Sequence, residues 1–299
     1  MTKNLYVSII GEPNVGKSTL LNAMIGYKIA ITTPKAQTTR KSLNGIVTIG
    51  DIQYVITDTP GLLSPKSKLD RNMRREIFGR LFTSNVVLFV VYPKEHLSEH
   101  ELKLLEELHD KELPVFLVVN KSDIIRSNQR KGDYYIEKLS EDFNFDGGML
   151  VSAKDGDGID ELLEKIAVYA EDGIHEFDPD DMTDESMRSL VAEIFREKIF
   201  LNLRDEIPYG CAVVTDSYTV RDDGVVDISF TIYCDKQNHK SIIIGKRGSM
   251  LKKISSEARA EIEDLVGGRV YMQSWIKVKE DWRNNDSALK EFGYKRDKK

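Results

Sequence analysis

Eight consecutive residues near the amino end have the types and spacing that a polyphosphate site needs. The pattern is Gly-x-x-x-x-Gly-Lys-Ser, between an apolar run at 5–10 and a helix-like stretch at 19–25. Glycines let backbone N–H groups at a helix amino end surround phosphate oxygens, the lysine reaches the β- and γ-phosphates, and the serine ligates Mg²⁺. The residues predicted to contact nucleotide here are Gly11, Glu12, Pro13, Asn14, Val15, Gly16, Lys17, Ser18 and Thr19.

A second polar segment follows the strand-like run at 52–57. A carboxylate at a strand end can hold Mg²⁺, and a glycine N–H just beyond it can meet a γ-phosphate. Taken alone, a Pro-Gly turn after a strand would explain the same residues. In the context of the first motif, the segment predicts further nucleotide contacts at Asp58, Thr59, Pro60 and Gly61.

Two later segments indicate which base is bound. The carboxylate of Asp123, after the apolar run at 115–119, can accept hydrogen bonds from guanine N1–H and the exocyclic amine. Adenine has no such donor pair on that edge, so the unpaired carboxylate would disfavour ATP. A last triplet after 149–151 places backbone groups that can read guanine O6. The predicted base-contacting residues are Asn120, Lys121, Ser122, Asp123, Ser152, Ala153 and Lys154.

In order and spacing, these four segments resemble the translation-factor-type small GTPases over residues 4–171. The resemblance implies GTP and GDP as ligands and Mg²⁺ held by Ser18, Thr39 and Asp58. It also implies a loop between the first two motifs that closes over the γ-phosphate, with Thr39 favoured over Thr38 for that role. The predicted catalytic residues are Lys17, Thr39, Asp58 and Gly61.

One position departs from the Ras-like pattern. Leu62, which the pattern also places beside the nucleotide, stands where Ras-like proteins carry the glutamine that orients the attacking water. A leucine cannot form that hydrogen bond, so we expect slow intrinsic hydrolysis. In related GTPases with Pro-Asn in this loop, the asparagine helps to bind potassium, which makes Asn14 a candidate K⁺ ligand.

Composition favours an intracellular protein of about two domains. The 299 residues are 40% hydrophobic and 31% charged, as in ordinary globular chains. No run of about 18 apolar residues and no signal-peptide core is present, which predicts a cytoplasmic protein. Cys211 and Cys234 lie in strand-like runs and are expected as buried thiols. His96 and His100 are expected as surface side chains.

The alternation of strands and helices predicts an α/β domain with a mixed, mostly parallel sheet and helices on both faces, as the resemblance to P-loop GTPases also implies. The α+β second half, described next, is similar to a type II KH domain. Strand-like runs at 4–10, 43–58, 86–91, 114–119 and 149–151 alternate with helix-like stretches. The predicted boundaries are 1–172 for the GTPase domain, 173–183 for an acidic linker, 184–281 for the KH domain and 282–299 for a basic tail.

The second half has the inferred order α-β-β-α-α-β, with Gly-Lys-Arg-Gly between two short helices. Residues 236–299 carry 16 Lys+Arg and 9 Asp+Glu on a chain whose net charge is −6. The preceding Ile242–Ile244 run is expected to form a groove wall for unstacked bases. With that run, this region resembles a type II KH domain, in which the glycine loop meets phosphates and about four unpaired nucleotides fill a groove. The predicted RNA-contacting residues are Ile244, Gly245, Lys246, Arg247, Gly248, Lys252 and Lys253, the last two being equally explicable as surface lysines.

A GTPase domain followed by one type II KH domain resembles the Era family of bacterial GTPases. The resemblance implies binding to 16S rRNA near its 3′ end and a role in assembly of the small (30S) ribosomal subunit. It also implies peripheral association with the inner face of the cell membrane, and we expect a monomer. Neither the rRNA target nor the membrane contact follows from composition or spacing.

Two other functions stay open at this point. The first is an RNA-binding protein whose GTP site no longer turns over, which Leu62 motivates. The second is a switch for a protein or membrane contact in which the KH fold is only a scaffold. Phosphate release that depends on Mg²⁺ and Lys17 separates the first, and charge reversal at Lys246 and Arg247 separates the second.

Overall fold

The computed structural model describes residues 1–61, 66–125 and 132–294, so Leu62 and residues 295–299 of the predicted tail lie outside the described residues. The chain groups into two compact units. Of the described residues, the first unit comprises 1–30, 39–61, 73–125 and 132–184, and the second comprises 31–38, 66–72 and 185–294.

The first unit is built on a seven-stranded sheet in the order β2-β3-β1-β4-β5-β6, with β7 pairing with β1. The strands are β1 (Lys3–Ile10), β2 (Leu43–Ile49), β3 (Ile52–Asp58), β4 (Val86–Val91), β5 (Val115–Val119), β6 (Gly147–Leu150) and β7 (Glu171–Asp172). The helices that accompany them along the chain are α1 (Lys17–Ile25), α2 (Lys68–Leu81), α3 (Glu99–His109), α4 (Gly132–Asp142) and α5 (Ile159–Ile166).

The central strands of this sheet lie in the core of the first unit. Every residue of β4 and β5 is buried, as expected for Val-rich parallel strands covered on both faces. β2 and β7 run antiparallel to their partners, and the other neighbours are parallel. The predicted mixed, mostly parallel sheet is therefore confirmed. The carboxyl ends of its parallel strands meet at one edge, where α/β proteins bind ligands.

The predicted linker is hydrogen-bonded to the first unit. The buried side chain of Gln53 accepts hydrogen bonds from the N–H groups of Glu176 and Phe177, at 2.9 and 3.0 Å. Thr183 forms an isolated bridge with Gly45 of the edge strand β2. The acidic composition of 173–183 thus belongs to a segment that follows the sheet edge, and compact grouping with the first unit extends to Asp184.

The second unit has the predicted α-β-β-α-α-β order. Its elements are α6 (Met187–Asn202), β8 (Cys211–Val220), β9 (Val226–Cys234), α7 (Gln237–Ile244), α8 (Ser249–Val266), β10 (Val270–Val278) and a short α9 (Asp286–Glu291). The sheet order is β10-β9-β8, with β10 parallel and β8 antiparallel to β9. The longer helices pack on one face around a core that includes Phe195, Phe230 and Ile254. Both cysteines are buried, and neither forms a disulfide.

In the described part of the chain, no helix combines the length and the apolar character needed to cross a bilayer.

Candidate functional site

The first glycine-rich loop adopts a conformation that only glycine fits at two positions. Gly11 has φ 149°, and a Cβ there would lie 2.2 Å from the carbonyl oxygen of Val90 in β4. Gly16 has φ 99°, and a Cβ would lie 2.3 Å from Nδ2 of Asn120. Positive φ and close backbone approach are the two conditions that select glycine. Glycine at these two positions therefore lets the chain pass from the end of β1 to the start of α1 without a steric clash.

Asn120 holds this loop from a distance of more than 100 residues in sequence. Its Nδ2 donates to the carbonyl of Val15 at 2.9 Å, and its Oδ1 accepts from the N–H of Ala153 at 3.0 Å. The side chain is buried, so these bonds act in a low-dielectric environment where unpaired groups are costly. Asn120 thus joins the phosphate loop to the base-binding loop, a structural role that sequence reasoning did not assign to it.

Lys17 lies in the first turn of α1 and is buried. Its Nζ donates to the carbonyls of Gly11 and Glu12 at 3.1 and 2.9 Å. Burial lowers the pKa of Lys17 from 10.5 to about 8, against the opposing effect of the Asp58 and Glu12 charges. A polyphosphate bound here would replace these carbonyl partners, and its negative charge would stabilise the protonated form of Lys17.

Three oxygen side chains from separate parts of the first unit converge beside Lys17. The hydroxyl of Ser18 donates to Asp58 Oδ2 at 2.6 Å and lies 3.0 Å from the hydroxyl of Thr39. The Thr39 hydroxyl also donates to Asp58 Oδ2, at 3.2 Å. Two hydroxyls and a carboxylate form a hard oxygen set of the kind that Mg²⁺ prefers.

The carboxylate in this cluster has capacity for a cation. Asp58 is fully buried, and among the described residues its Oδ1 has no hydrogen-bond partner. Burial raises the pKa of Asp58, while Lys17, Ser18 and Thr39 act in the opposite direction. A buried acceptor without a partner is costly unless something satisfies it. The residues present therefore fit a Mg²⁺ ion, with Ser18, Thr39 and Asp58 as the protein groups that would hold it.

The two adjacent threonines of the loop have different surroundings. Thr38 Oγ1 donates to the carbonyl of Lys35 at 2.9 Å and lies 2.6 Å from Thr33 Oγ1. Only Thr39 reaches Ser18 and Asp58 among the described contacts of this pair. The geometry thus favours Thr39 over Thr38 as the residue that responds to bound nucleotide.

The base-binding segments meet at the ends of β5 and β6. Ser152 Oγ donates to Asp123 Oδ1 at 3.3 Å, and Lys154 Nζ lies 3.9 Å from Asp123 Oδ2. Lys121 adopts φ 67° and its Nζ donates to the carbonyl of Asn14 at 2.6 Å. The Asp123 carboxylate therefore lies beside the side chains of Ser152 and Lys154 in the last triplet.

The segment after Asp58 lies against the phosphate loop. Thr59 Oγ1 donates to the carbonyl of Ile9 at 2.7 Å, which fixes the strand end. A Cβ on Gly61 would lie 3.1–3.3 Å from Pro13, so the backbone here passes close to that loop. The Gly61 backbone therefore lies beside the loop that is predicted to bind the phosphates.

In the second unit, the Gly-Lys-Arg-Gly loop lies between α7 and α8. A Cβ on Gly245 would lie 2.7 Å from Met250 Cβ, whereas Gly248 has open space but φ 79°. Lys246 and Arg247 are exposed at the amino end of α8. Charged side chains beside the free N–H groups of a helix amino end form a phosphate-binding arrangement.

The apolar run before this loop is divided between core and surface. Ile243 is fully buried in the core, Ile242 is 47% exposed, and Ile244 is half-buried. The expectation that all three line a groove is therefore wrong for Ile243, because helical periodicity turns it inward. Lys252 and Lys253 are both exposed, and Lys253 Nζ lies 3.8 Å from Glu257.

The fold and these two sites define a guanine-nucleotide switch followed by a KH domain. A family model described as "50S ribosome-binding GTPase" matches residues 6–121, and one described as "KH domain" matches residues 206–283. The GTPase Era of Ruminiclostridium cellulolyticum is 42% identical over 296 residues, with 99% of each chain covered. The chain belongs to the Era family of GTPases.

Two solved structures are similar over nearly the whole chain. One is the crystal structure of Era with MgGDPNP and nucleotides 1506–1542 of 16S ribosomal RNA, at TM-score 0.93 and 35% identity, covering 98% of this chain and 99% of that one. The other is an Aquifex aeolicus Era variant bound to GDP·AlF4⁻, at TM-score 0.92 and 34% identity, with the same coverage.

Proposed function

We propose that this chain is a Mg²⁺-dependent GTPase whose nucleotide state controls the binding of its KH domain to 16S rRNA during assembly of the small ribosomal subunit. The observation that carries the proposal is the convergence of Ser18, Thr39 and Asp58 at the end of a loop whose middle part, Ile31–Thr38, groups with the second unit. The proposed domains are 1–172, a linker at 173–183, a KH domain at 184–281 and a basic tail.

Different residues of the first unit have different roles in GTP binding and hydrolysis. Lys17 binds the β- and γ-phosphates, Thr39 and Gly61 contact the γ-phosphate, and Asp123 reads guanine. When bound by Ser18, Thr39 and Asp58, Mg²⁺ supplies charge neutralisation for the phosphate oxygens. Because Leu62 offers no hydrogen bond to water, we expect an intrinsic rate on the order of that of Ras alone.

The loop before Thr39 is held by contacts inside the second unit. Glu197 Oε1 accepts from the N–H of Thr32 at 2.8 Å, and the buried Arg196 donates to the carbonyl of Thr38 at 2.5 Å. Lys35 Nζ donates to the carbonyls of Phe200 and Leu203. A γ-phosphate that draws Thr39 inward therefore acts on a segment that the KH-bearing unit also binds, which gives GTP a route to change RNA affinity.

The RNA partner rests on the loop at 245–248 and on the relative whose structure holds nucleotides 1506–1542 of 16S rRNA. A KH groove accommodates about four unpaired nucleotides. The proposed RNA is therefore much longer than the groove, and we place Lys246 and Arg247 at its phosphates.

Charge reversal in the loop tests the RNA-binding part of the proposal. Lys246→Glu with Arg247→Glu should weaken binding of 16S 3′-end RNA by at least tenfold and reduce the salt slope by about 2. Lys103→Glu with Lys111→Glu in the first unit makes the same charge change and serves as the control. If the two double variants weaken RNA binding equally, the loop contributes only to a non-specific electrostatic attraction and is not a specific RNA site.

Phosphate release tests the enzymatic part. Wild-type protein should release phosphate from GTP slowly and only with Mg²⁺, and Lys17→Ala should abolish release. Undetectable turnover in the wild type would favour a GTP-binding protein that no longer hydrolyses.

We further propose that K⁺ binds beside Asn14, which is exposed at the loop and has φ 65°. A monovalent ion there would neutralise phosphate charge where the catalytic glutamine is missing. Hydrolysis should then be faster in KCl than in NaCl at equal ionic strength, and Asn14→Ala should remove the difference. Equal wild-type rates in the two salts would end this idea.

The family resemblance supports three further proposals: a cytoplasmic location, a monomeric state, and peripheral association with the inner face of the cell membrane. Sedimentation tests the second, and flotation with anionic vesicles tests the third. Flotation that is the same with neutral vesicles would argue against an electrostatic membrane contact.

A further inference from the structure

The outer face of β10 carries a row of exposed side chains that the GTP site and the glycine loop do not use. Tyr271 is 51% and Trp275 48% exposed. They alternate with Met272 and Ile276, which pack into the core opposite Ile228 and Ile232. Tyr271 and Trp275 therefore share the face of the sheet that points away from the helices, about 13 Å apart along the strand.

Arg221 and Gln273 contact the Tyr271 ring, and a short polar side chain lies opposite Trp275. The guanidinium of Arg221 lies 5.4 Å from the centre of the Tyr271 ring, and Gln273 donates to the Tyr271 hydroxyl at 3.0 Å. Trp275 is opposite Thr231 in the register, and Thr231 donates to Asp216 at 2.7 Å. The rings thus stand on a surface of short polar side chains, which leaves them open to a partner.

The charges of this face suit flat, neutral groups. Arg221 pairs with Asp227 through two contacts of 2.6 Å, so the carboxylate opposite Tyr271 in the strand register is already paired with a cation. Lys277 is exposed beyond Trp275 on the same face. Nucleobases stack on aromatic side chains and on Arg planes, while their phosphates stay near cations at the margin.

The helices that flank the glycine loop contact the same strand. Both α7 and α8, which flank residues 245–248, pack against β10. Among the described residues, β10 pairs on one side only, with β9. A ribonucleotide strand that leaves the loop can therefore pass this unpaired edge of β10 and reach the face that carries the two rings.

We propose that Tyr271 and Trp275 form a stacking platform for unpaired RNA bases beyond the four nucleotides held at the glycine loop. The proposal rests on the RNA-binding function proposed above, because it extends the RNA path from that loop. It adds a second binding site, on the opposite face of the sheet, that recognises single-stranded bases by stacking. If a protein partner bound this face instead of RNA, the affinity for RNA would not depend on Tyr271 or Trp275.

Tryptophan fluorescence offers a direct readout. The chain has two tryptophans, Trp275 and Trp282. Trp282 is fully buried and its Nε1 donates to the carbonyl of Gly210 at 2.9 Å. Quenching by a stacked base should therefore report Trp275. We expect an RNA of about four nucleotides to bind without quenching, and one of about 12 nucleotides to quench.

Affinities of full-length variants complete the test. Tyr271→Ala and Trp275→Ala should each weaken the longer RNA by about tenfold and leave the shorter one unchanged. Trp275→Phe should retain most of the affinity. Phe82→Ala removes an aromatic ring of similar exposure, 52%, from the first unit and should change nothing.

The outcomes separate the two proposals. Unquenched, full-affinity binding of the longer RNA by every ring variant, while Lys246→Glu with Arg247→Glu weakens it, would overturn the platform alone. Failure of the wild type to bind either RNA would overturn the proposed function itself. Because both rings are exposed, unchanged thermal unfolding of the variants is expected and excludes misfolding as the cause.

Discussion

The two glycine loops of this chain have the same predicted phosphate-binding chemistry but are supported differently. In the loop at 11–18, both glycines touch distant residues, Val90 and Asn120, and the lysine is buried. In the loop at 245–248, the close neighbour is Met250, five residues away, and the cations are exposed. The conformation of the first loop therefore depends on tertiary contacts with residues of the sheet. That of the second depends on local contacts between two helices and the loop that joins them.

This difference predicts unequal tolerance to a single methyl group. Gly16→Ala places a Cβ against Asn120 at positive φ, so we expect nucleotide affinity to fall by more than about 100-fold. Gly26→Ala is the matched control, because Gly26 has φ 77° but open space around it. Its nucleotide affinity should stay within about twofold. Calorimetric titration with GDP checks both, and equal losses would show that strain, not the Asn120 contact, decides.

The adjacent threonines test whether the first loop responds to the γ-phosphate. Thr39→Ala removes the hydroxyl that reaches Ser18 and Asp58, so the preference for a Mg²⁺–GTP analogue over GDP should fall by about tenfold. Thr38→Ala, whose hydroxyl bonds within 33–38, should leave that preference within about twofold. Competition binding with fluorescent nucleotides measures it. A larger effect at Thr38 would contradict the assignment.

The second loop should lose less from the same kind of change. Gly248→Ala meets only backbone strain, worth about 1 kcal/mol, so RNA affinity should fall by about fivefold. Gly245→Ala adds the contact with Met250 and should cost more than Gly248→Ala. Filter binding at fixed salt compares them, with GDP affinity as the internal control. A reversed order would mean that the open space at Gly248 is occupied by RNA backbone.

Protonation of Lys17 gives the smallest expected effect. In the free protein its pKa of about 8 leaves the ammonium partly deprotonated at pH 8. Bound phosphate favours the charged form and raises this pKa. Nucleotide binding at pH 8 should therefore take up at most about half a proton, and less at pH 7. Calorimetry in buffers of different ionisation enthalpy measures the uptake, and buffer-independent enthalpies would refute it.

Sequence reasoning reached the fold order and placed the motif residues because their spacing is local. It missed the clamp by Asn120 on Val15 and Ala153, since that contact joins parts of the chain more than 100 residues apart. It predicted a linker at 173–183 from acidic, Gly- and Pro-containing composition. Composition did not reveal that Gln53 and Gly45 on the sheet would bond this segment.

The same limit explains the surface of the second unit. The Ile242–Ile244 run was expected to line a groove as a whole, but only the helix phase decides that Ile243 turns inward. The alternation of Tyr271 and Trp275 with core residues is visible in sequence. Its meaning depends on knowing that β10 is an edge strand with helices on one face, which the pairing shows.

The central claim is that the nucleotide at 11–18 governs RNA binding at 245–248 through the loop that ends at Thr39. Lys35→Ala removes a contact of that loop within the second unit and should reduce the coupling while leaving each separate binding site intact.

The most direct test titrates one 16S 3′-end RNA into the protein saturated with a Mg²⁺–GTP analogue, with GDP, or with no nucleotide. We predict tighter binding with the GTP analogue, by about 5- to 150-fold, and the same factor when GTP-analogue affinity is measured with and without RNA. Identical RNA affinity in all three states would contradict the claim.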